Sequence, residues 1–163
     1  MRIVSATERD VPLVLEFIKD LATYEKHLDK VEASAARLRE TLFGPNPSAS
    51  VVIAYEGDRA LGFAVYFFTY STFIALPGLY LEDLFVKPEA RGKGVGRALL
   101  QYLARVAKHQ GCARIEWAVL HWNGPAIGFY RSLGAVPMDE WAVYRLQGAA
   151  LDQLAGTSDK ARG

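Results

Sequence analysis

One cysteine, Cys112, is all that 163 residues hold, so no disulfide can close within the chain. It follows Gly111 and enters an apolar strand, the setting of a small buried residue rather than of a nucleophile. Histidines number three; His109 and His121 are widely spaced, with no second ligand close in sequence, so no metal site is expected. Neither sign of charge dominates. Nineteen Lys and Arg against eighteen Asp and Glu leave +1, which argues against a nucleic-acid surface spread over the whole chain while leaving local basic patches open. No apolar run approaches the ~20 residues that span a bilayer. Met1-Arg-Ile-Val reads as a strand, not as the start of a signal peptide. A cytoplasmic protein without membrane or nucleic-acid partners is the expectation by elimination.

What is present is a chain with 51% apolar residues, enough for one domain with a substantial core. Residues 2–6 read as a strand. Thr7-Glu-Arg-Asp10 has the form of a helix N-cap, followed by Val11, Val14, Leu15, Ile18 and Leu21 at helical spacing as far as Tyr24. A polar stretch from Glu25 to Glu32 leads to a second helix between Ser34 and Gly44. Strands are predicted over 50–56 and 60–69, joined across Gly57-Asp58, and over 79–86. A helix is predicted over 95–109, a strand over 114–120, a short helix over 124–133 and a last strand over 141–147. The fold class is therefore α/β: a mixed, mostly antiparallel sheet with helices on both faces. A domain over 1–147 and a tail over 148–163, frayed at its end, complete the reading.

The densest chemistry lies where strand 79–86 meets Lys87-Pro-Glu-Ala-Arg91-Gly-Lys-Gly-Val-Gly96-Arg97. A glycine-rich basic turn opening an amphipathic helix gathers backbone N–H groups around one point, which suits a phosphate or pyrophosphate. Gly92, Gly94 and Gly96 keep Cβ atoms out of the way, and Arg91, Lys93 and Arg97 add positive charge. A merely glycine-rich strand–helix junction is the plain alternative. Two familiar phosphate loops are excluded. A Walker A loop would need Gly-Lys-Ser/Thr at its end, and a dinucleotide fingerprint would need glycine where Arg97 stands.

Glu82 and Asp83 are adjacent on that strand, so strict alternation points them to opposite sides of the sheet. At least one is then poorly solvated, and burial raises a carboxyl's pKa and makes it a better proton acceptor near neutral pH. An edge strand with both groups solvated or ion-paired is the competing reading. Further on, Asn123 can cap a helix and Pro125 fits its first turn. Tyr130 lies about two turns along. A phenol with a reference pKa near ~10 stays protonated at neutral pH and can give a proton to a leaving thiolate. A core tyrosine with a satisfied hydroxyl explains the same residue.

Taken in order, these segments resemble the GNAT (GCN5-related N-acetyltransferase) superfamily from about Arg2 to Leu146, and within it the diamine (spermidine/spermine) and thialysine N-acetyltransferase branch. The match is carried by Ile18 to Glu25, Tyr66-Phe-Phe-Thr-Tyr70, Leu79-Tyr-Leu-Glu-Asp83, Arg91 to Gly96, Ala118 to Asn123, Phe129-Tyr130 and Leu133-Gly-Ala135. The resemblance implies acetyl-CoA as co-substrate and a homodimer. It implies that Leu84, Phe85 and Val86 contact the pantetheine arm. Arg91, Gly92, Lys93, Gly94, Val95, Gly96 and Arg97 would hold the pyrophosphate, with Asn123 and Tyr130 also at the cofactor. Tyr130 takes the role of general acid and Glu82 that of base, directly or through water. Tyr24, Glu25, Glu82 and Glu140 fall on acceptor positions. One tract departs: Tyr70-Ser71-Thr72-Phe73 stands where polyamine-acetylating members carry Asp-Pro-Trp, which weakens the case for long polyamines and sets a shorter amine or an amino acid on at least an equal footing as acceptor. A protein-lysine acetyltransferase and a non-catalytic acyl-CoA sensor are the rival functions.

Overall fold

The helical spacing after Thr7 is realised with its cap in place. The Asp10 carboxylate accepts from the Thr7 N–H at 2.7 Å and from its hydroxyl at 3.0 Å, turning the chain into helix α1, Val11–Tyr24. The structure, a computed structural model, describes residues 1–157. They divide into two compact units, Met1–Leu120 and the residues from His121 onward.

The first unit is a five-stranded sheet with helices. Its strands are β1 (Arg2–Ser5), β2 (Ser50–Glu56), β3 (Arg59–Ser71), β4 (Leu76–Val86) and β5 (Ile115–Glu116). They lie side by side in chain order, antiparallel except for the parallel β4–β5 pair. Helix α2 spans Ala35–Phe43 and α3 spans Val95–His109. Val14, Phe17 and Leu21 of α1 pack on Val51, Ile53, Phe63, Val65 and Phe85, with the Phe17 and Phe63 rings stacked 5.0 Å apart. Side chains of the opposite parity, among them Val52, Ala54 and Ala64, are buried on the other face. There α3 lies against β2, β3 and β4, its own Leu99 and Leu103 fully buried. The predicted α/β sheet with helices is thus what forms.

Two irregularities shape β4. Val65 pairs with Asp83 but Tyr66 pairs with Leu81, so Glu82 is an extra residue, a β-bulge. Alternation reverses across it: Asp83 and Phe85 share the α1 face with Val65, whereas Leu79 and Leu81 share the opposite face with Tyr66. At the other end Gly62 lies opposite Val86, and a Cβ on it would meet the Phe85 carbonyl at 2.4 Å. Only glycine permits that approach.

Two predicted strands change. The strand expected over 114–120 is reduced to Ile115–Glu116, paired with Leu79–Tyr80 alone. No strand forms over 141–147. Trp141, Val143 and Tyr144 are instead largely exposed. An apolar-rich segment has the propensity to be a strand, but a ladder also needs a neighbour to bond, and none is supplied among the described residues. The second unit contains α4 (Gly124–Ser132) and a short helix, α5 (Ala149–Leu154), inside the stretch read as tail. The expected fraying of the last residues falls on 158–163, outside the described residues. Among the described residues no helix is long and apolar enough to cross a membrane, and no three His, Cys, Asp or Glu side chains gather as a metal site.

Candidate active site

Strand β4 delivers two chemically opposite surroundings. At its C-terminal end the chain passes through a short 3-10 turn, Pro88–Ala90, into the glycine loop and α3. Gly92 and Gly94 take φ of 72° and 80°, the left-handed region where glycine is at ease, and nothing lies within 4 Å of where either Cβ would be. Conformation, not crowding, is what demands glycine here. Gly94 is the N-cap of α3, its carbonyl accepting from the Ala98 N–H at 3.0 Å. Arg91, Gly92, Lys93, Gly94 and Arg97 are exposed, Gly96 is half-buried, and Val95 is buried as the anchor of the helix. Exposed residues at the positive end of a fifteen-residue helix, with three cations alongside, are an arrangement that can hold an anion.

Arg91 does more than add charge. Its Nε donates to the Val86 carbonyl at 2.9 Å, and its guanidinium lies over the Tyr24 ring at 4.8 Å and the Phe85 ring at 5.5 Å. It thereby ties the loop to β4 and to the end of α1.

The ladder with β5 stops at Tyr80–Glu116. Because the Lys87 N–H bonds back to Leu61 of β3, alternation turns the N–H groups of Leu84 and Val86 away from β3, on the side where β5 has ended. These peptide groups are where an extended amide-bearing arm can pair with the strand edge. Leu84 and Val86 are half-buried and Phe85 is buried in the α1 core.

On the α1 face of β4 lies an open cavity of about 240 Å³, lined by Glu25, His27, Lys30 and Asp83 over an apolar wall that includes Ile18 and Leu21. The end of α1 builds it. The His27 N–H bonds to the Ala22 carbonyl at 2.8 Å and the Lys26 N–H to the Thr23 carbonyl at 3.1 Å. Lys26, at φ 61°, takes the left-handed position that glycine usually fills at a helix end. The chain so reversed brings residues 27–31 alongside β4. Asp83 is the desolvated carboxylate of this region: burial first, then the neighbouring charges of Glu82 and Glu25, push it up to about 6. Burial also raises Glu25, a shift that His27 partly offsets. Glu82, on the bulge, is exposed. Tyr24, at the end of α1, is also exposed.

The structure therefore brings Tyr24, Glu25, Glu82, Leu84–Val86 and Arg91–Arg97 together within the first unit. Asn123, Tyr130 and Glu140 belong to the second. There Asn123 is buried and caps α4, its side-chain oxygen accepting from the Ala126 N–H at 3.3 Å. Tyr130, two turns further on, is half-buried, its ring 5.5 Å from that of Phe129. Glu140 is exposed in a turn. Two residues of the cavity, His27 and Lys30, were not singled out from sequence, whereas Asp83 was weighed beside Glu82 as the poorly solvated carboxylate and was not assigned to the site. The only signal for the first two was the mixed charge of the stretch after Glu25.

The profile of the Acetyltransferase (GNAT) family matches residues 15–135. The chain belongs to the GNAT acetyltransferase family. It is an acetyltransferase, and the family implies acetyl-CoA as its co-substrate. Over 162 residues this acetyltransferase is 38% identical to a protein named thialysine N-epsilon-acetyltransferase from Sus scrofa, covering 93% of this chain and 95% of the relative. It is 29% identical over 198 residues to an L-ornithine N5-acetyltransferase of Arabidopsis thaliana, covering 94% and 87%. Among solved structures, an integron cassette protein from V. cholerae superposes with a TM-score of 0.79 at 33% identity, covering 94% of this chain and 96% of that one. These likenesses place the acetyltransferase in the diamine and thialysine branch.

Proposed function

We propose that residues 1–147 act as one acetyltransferase domain that moves the acetyl group of acetyl-CoA to a primary amine of a small molecule, a diamine or polyamine or a thialysine-like amino acid. The observation that carries this reading is the free edge of β4 at Leu84–Val86, leading directly into the anion site at the N-terminus of α3. Extended amide and pyrophosphate are the two features such a run of groups recognises. Names of relatives over nearly the whole chain, thialysine and L-ornithine acetyltransferases, support a small amine as acceptor.

Acetyl-CoA, when bound, supplies the thioester. Leu84, Phe85 and Val86 would hold its pantetheine arm, and Arg91, Gly92, Lys93, Gly94, Val95, Gly96 and Arg97 its pyrophosphate, with Asn123 and Tyr130 as further cofactor contacts. An alkylammonium, with a pKa near ~10.4, must lose a proton before it can attack. Glu82 takes that proton, directly or through water, from an acceptor positioned by Tyr24, Glu25 and Glu140. The amine nitrogen then bonds to the acetyl carbon, a β4 backbone N–H steadies the oxyanion, and the carbon–sulfur bond breaks. Tyr130 gives its proton to the departing thiolate. Holding both reactants on one scaffold supplies much of the acceleration. A homodimer is part of the proposal, supported by the exposed Trp141, Val143 and Tyr144 and by Phe73, which is 95% exposed. Sedimentation of the purified protein tests it.

Thiol release from acetyl-CoA, measured with spermidine, putrescine, thialysine, lysine, ornithine and a basic peptide, tests the function. Turnover on a small amine is expected, together with a kcat reduced about a hundredfold in Tyr130→Phe at unchanged acetyl-CoA affinity. Acetylation of the peptide alone would replace the reading with a protein-lysine acetyltransferase. Binding without turnover on any acceptor would leave a sensor.

A further inference from the structure

The cavity on the α1 side of β4 carries charge of both signs. Glu25 and Asp83 bring carboxylates, and His27 and Lys30 bring an imidazole and an ammonium. At about 240 Å³ it is below the roughly 300–1,000 Å³ of sites for drug-sized ligands, which suits a short acceptor. Two carboxylates set together in partly dry surroundings disfavour their own charge, and a ligand's ammonium between them relieves that. Lys30 does not provide the relief. Among the described residues its ammonium is in no ion pair, although it lines the same cavity. A second, opposite demand is therefore left at the rim: a negative group for Lys30, with the His27 imidazole ring beside it able to donate an N–H. A polyamine answers only the first demand and meets repulsion at the second. An amino acid with a terminal amine carries an α-ammonium and an α-carboxylate side by side, and answers both.

We propose that Lys30 and His27 receive the α-carboxylate of an α,ω-diamino acid in this cavity while Glu25 and Asp83 receive its α-ammonium, so that acceptors bearing a carboxylate are chosen over the corresponding diamines. The proposal rests on the small-amine reading above and narrows it. His27 and Lys30 are specificity residues that touch the acceptor at the end remote from the reacting amine. Charge at an open rim acts mainly on binding, so their effect falls on KM more than on kcat.

Two pairs of acceptors differ only in the carboxylate: ornithine and putrescine, lysine and cadaverine. In the wild-type enzyme kcat/KM is expected to favour the amino acid in each pair by about tenfold or more. Lys30→Glu should lower the amino-acid value about tenfold through KM and raise that of the diamine, inverting the preference. His27→Gln should shift it in the same direction by less, and Lys30→Gln, a milder change, repeats the comparison if the charge reversal does not fold. Equal effects of Lys30→Glu on both members of a pair, or a wild-type preference for the diamines, would overturn the proposal while leaving the small-amine reading intact. Failure of all four compounds and of thialysine and spermidine, with acetyl transfer to a basic peptide alone, would overturn that reading and the proposal with it.

Discussion

The two flanks of β4 solve opposite problems with different materials. At its C-terminal end the candidate anion site is made of backbone, a few consecutive residues whose left-handed positions are filled by Gly92 and Gly94. On its α1 side a mixed-charge cavity is made of side chains drawn from the end of α1, the turn after it and the middle of β4. There the left-handed position is filled by Lys26, which has a Cβ. The first arrangement is local and depends on conformation. The second is assembled from a distance and depends on burial and charge. The contrast teaches that each should fail in its own way.

The largest expected effect separates chemistry from binding. Glu82→Gln should lower kcat about a hundredfold near neutral pH, with the deficit narrowing in alkali as the acceptor loses its proton unaided. A ratio to wild type that stays constant from pH 7 to 10 would remove Glu82 as base. Asp83→Asn should act on stability, and in a pH-dependent manner. The Asp83 carboxyl rises from an ordinary 3.8 to about 6 on folding, so the folded state binds the proton more tightly than the unfolded one. Stability is then highest, as far as this group is concerned, below pH 4, and falls as pH rises through 6. At ~1.4 kcal/mol per pH unit the loss is about 3 kcal/mol. The Asn variant should therefore melt higher than wild type at pH 8, and the gain should shrink toward zero at pH 4. An equal change at both pH values would show that packing, not charge, governs the site.

Gly94→Ala addresses the other flank. A Cβ at φ 80° costs about 1–2 kcal/mol with space to spare around it, so acetyl-CoA should bind about tenfold more weakly while the KM of the amine is unmoved. Weakening of both substrates alike would break the division between the flanks. The smallest effect is expected of Lys26→Gly, which relieves the left-handed strain and should raise the unfolding free energy by about 0.5–1 kcal/mol in a denaturant titration.

The same contrast decides what could be read from the chain alone. The anion site was legible because it is contiguous: Gly92, Gly94 and Gly96 with Arg91 and Arg97 need no partner to declare a turn before a helix. Helices α1 and α3 were legible for the same reason, their apolar residues recurring at helical spacing and their starts marked by Thr7–Asp10 and by Gly94. The bulge at Glu82 was not, since no glycine or proline marks it and a period of two cannot announce an inserted residue. Alternation alone gave Glu82 and Asp83 opposite sides. It did not show that Asp83 would become the desolvated carboxylate, nor that the stretch after Glu25 would fold back beside it. The strand expected over 141–147 failed because apolar character favours a strand but names no neighbour to bond.

The bulge also bears on how this gene can change. With Glu82 in place, Leu79 and Leu81 face one side of the sheet and Asp83 and Phe85 the other, although all four positions have the same parity. Loss of the single codon for residue 82 would make Leu81 and Asp83 neighbours, and plain alternation would keep each on the face it already holds; the carboxylate would be lost and the packing spared. Loss of any other codon within β4 would turn part of the strand over, swinging residues such as the fully buried Leu79 or Leu81 toward the wrong side or sliding the hairpin of β3 and β4 by a residue. Position 82 is thus the one place where β4 tolerates shortening, so that a change of length there would report the loss of a function rather than of a fold.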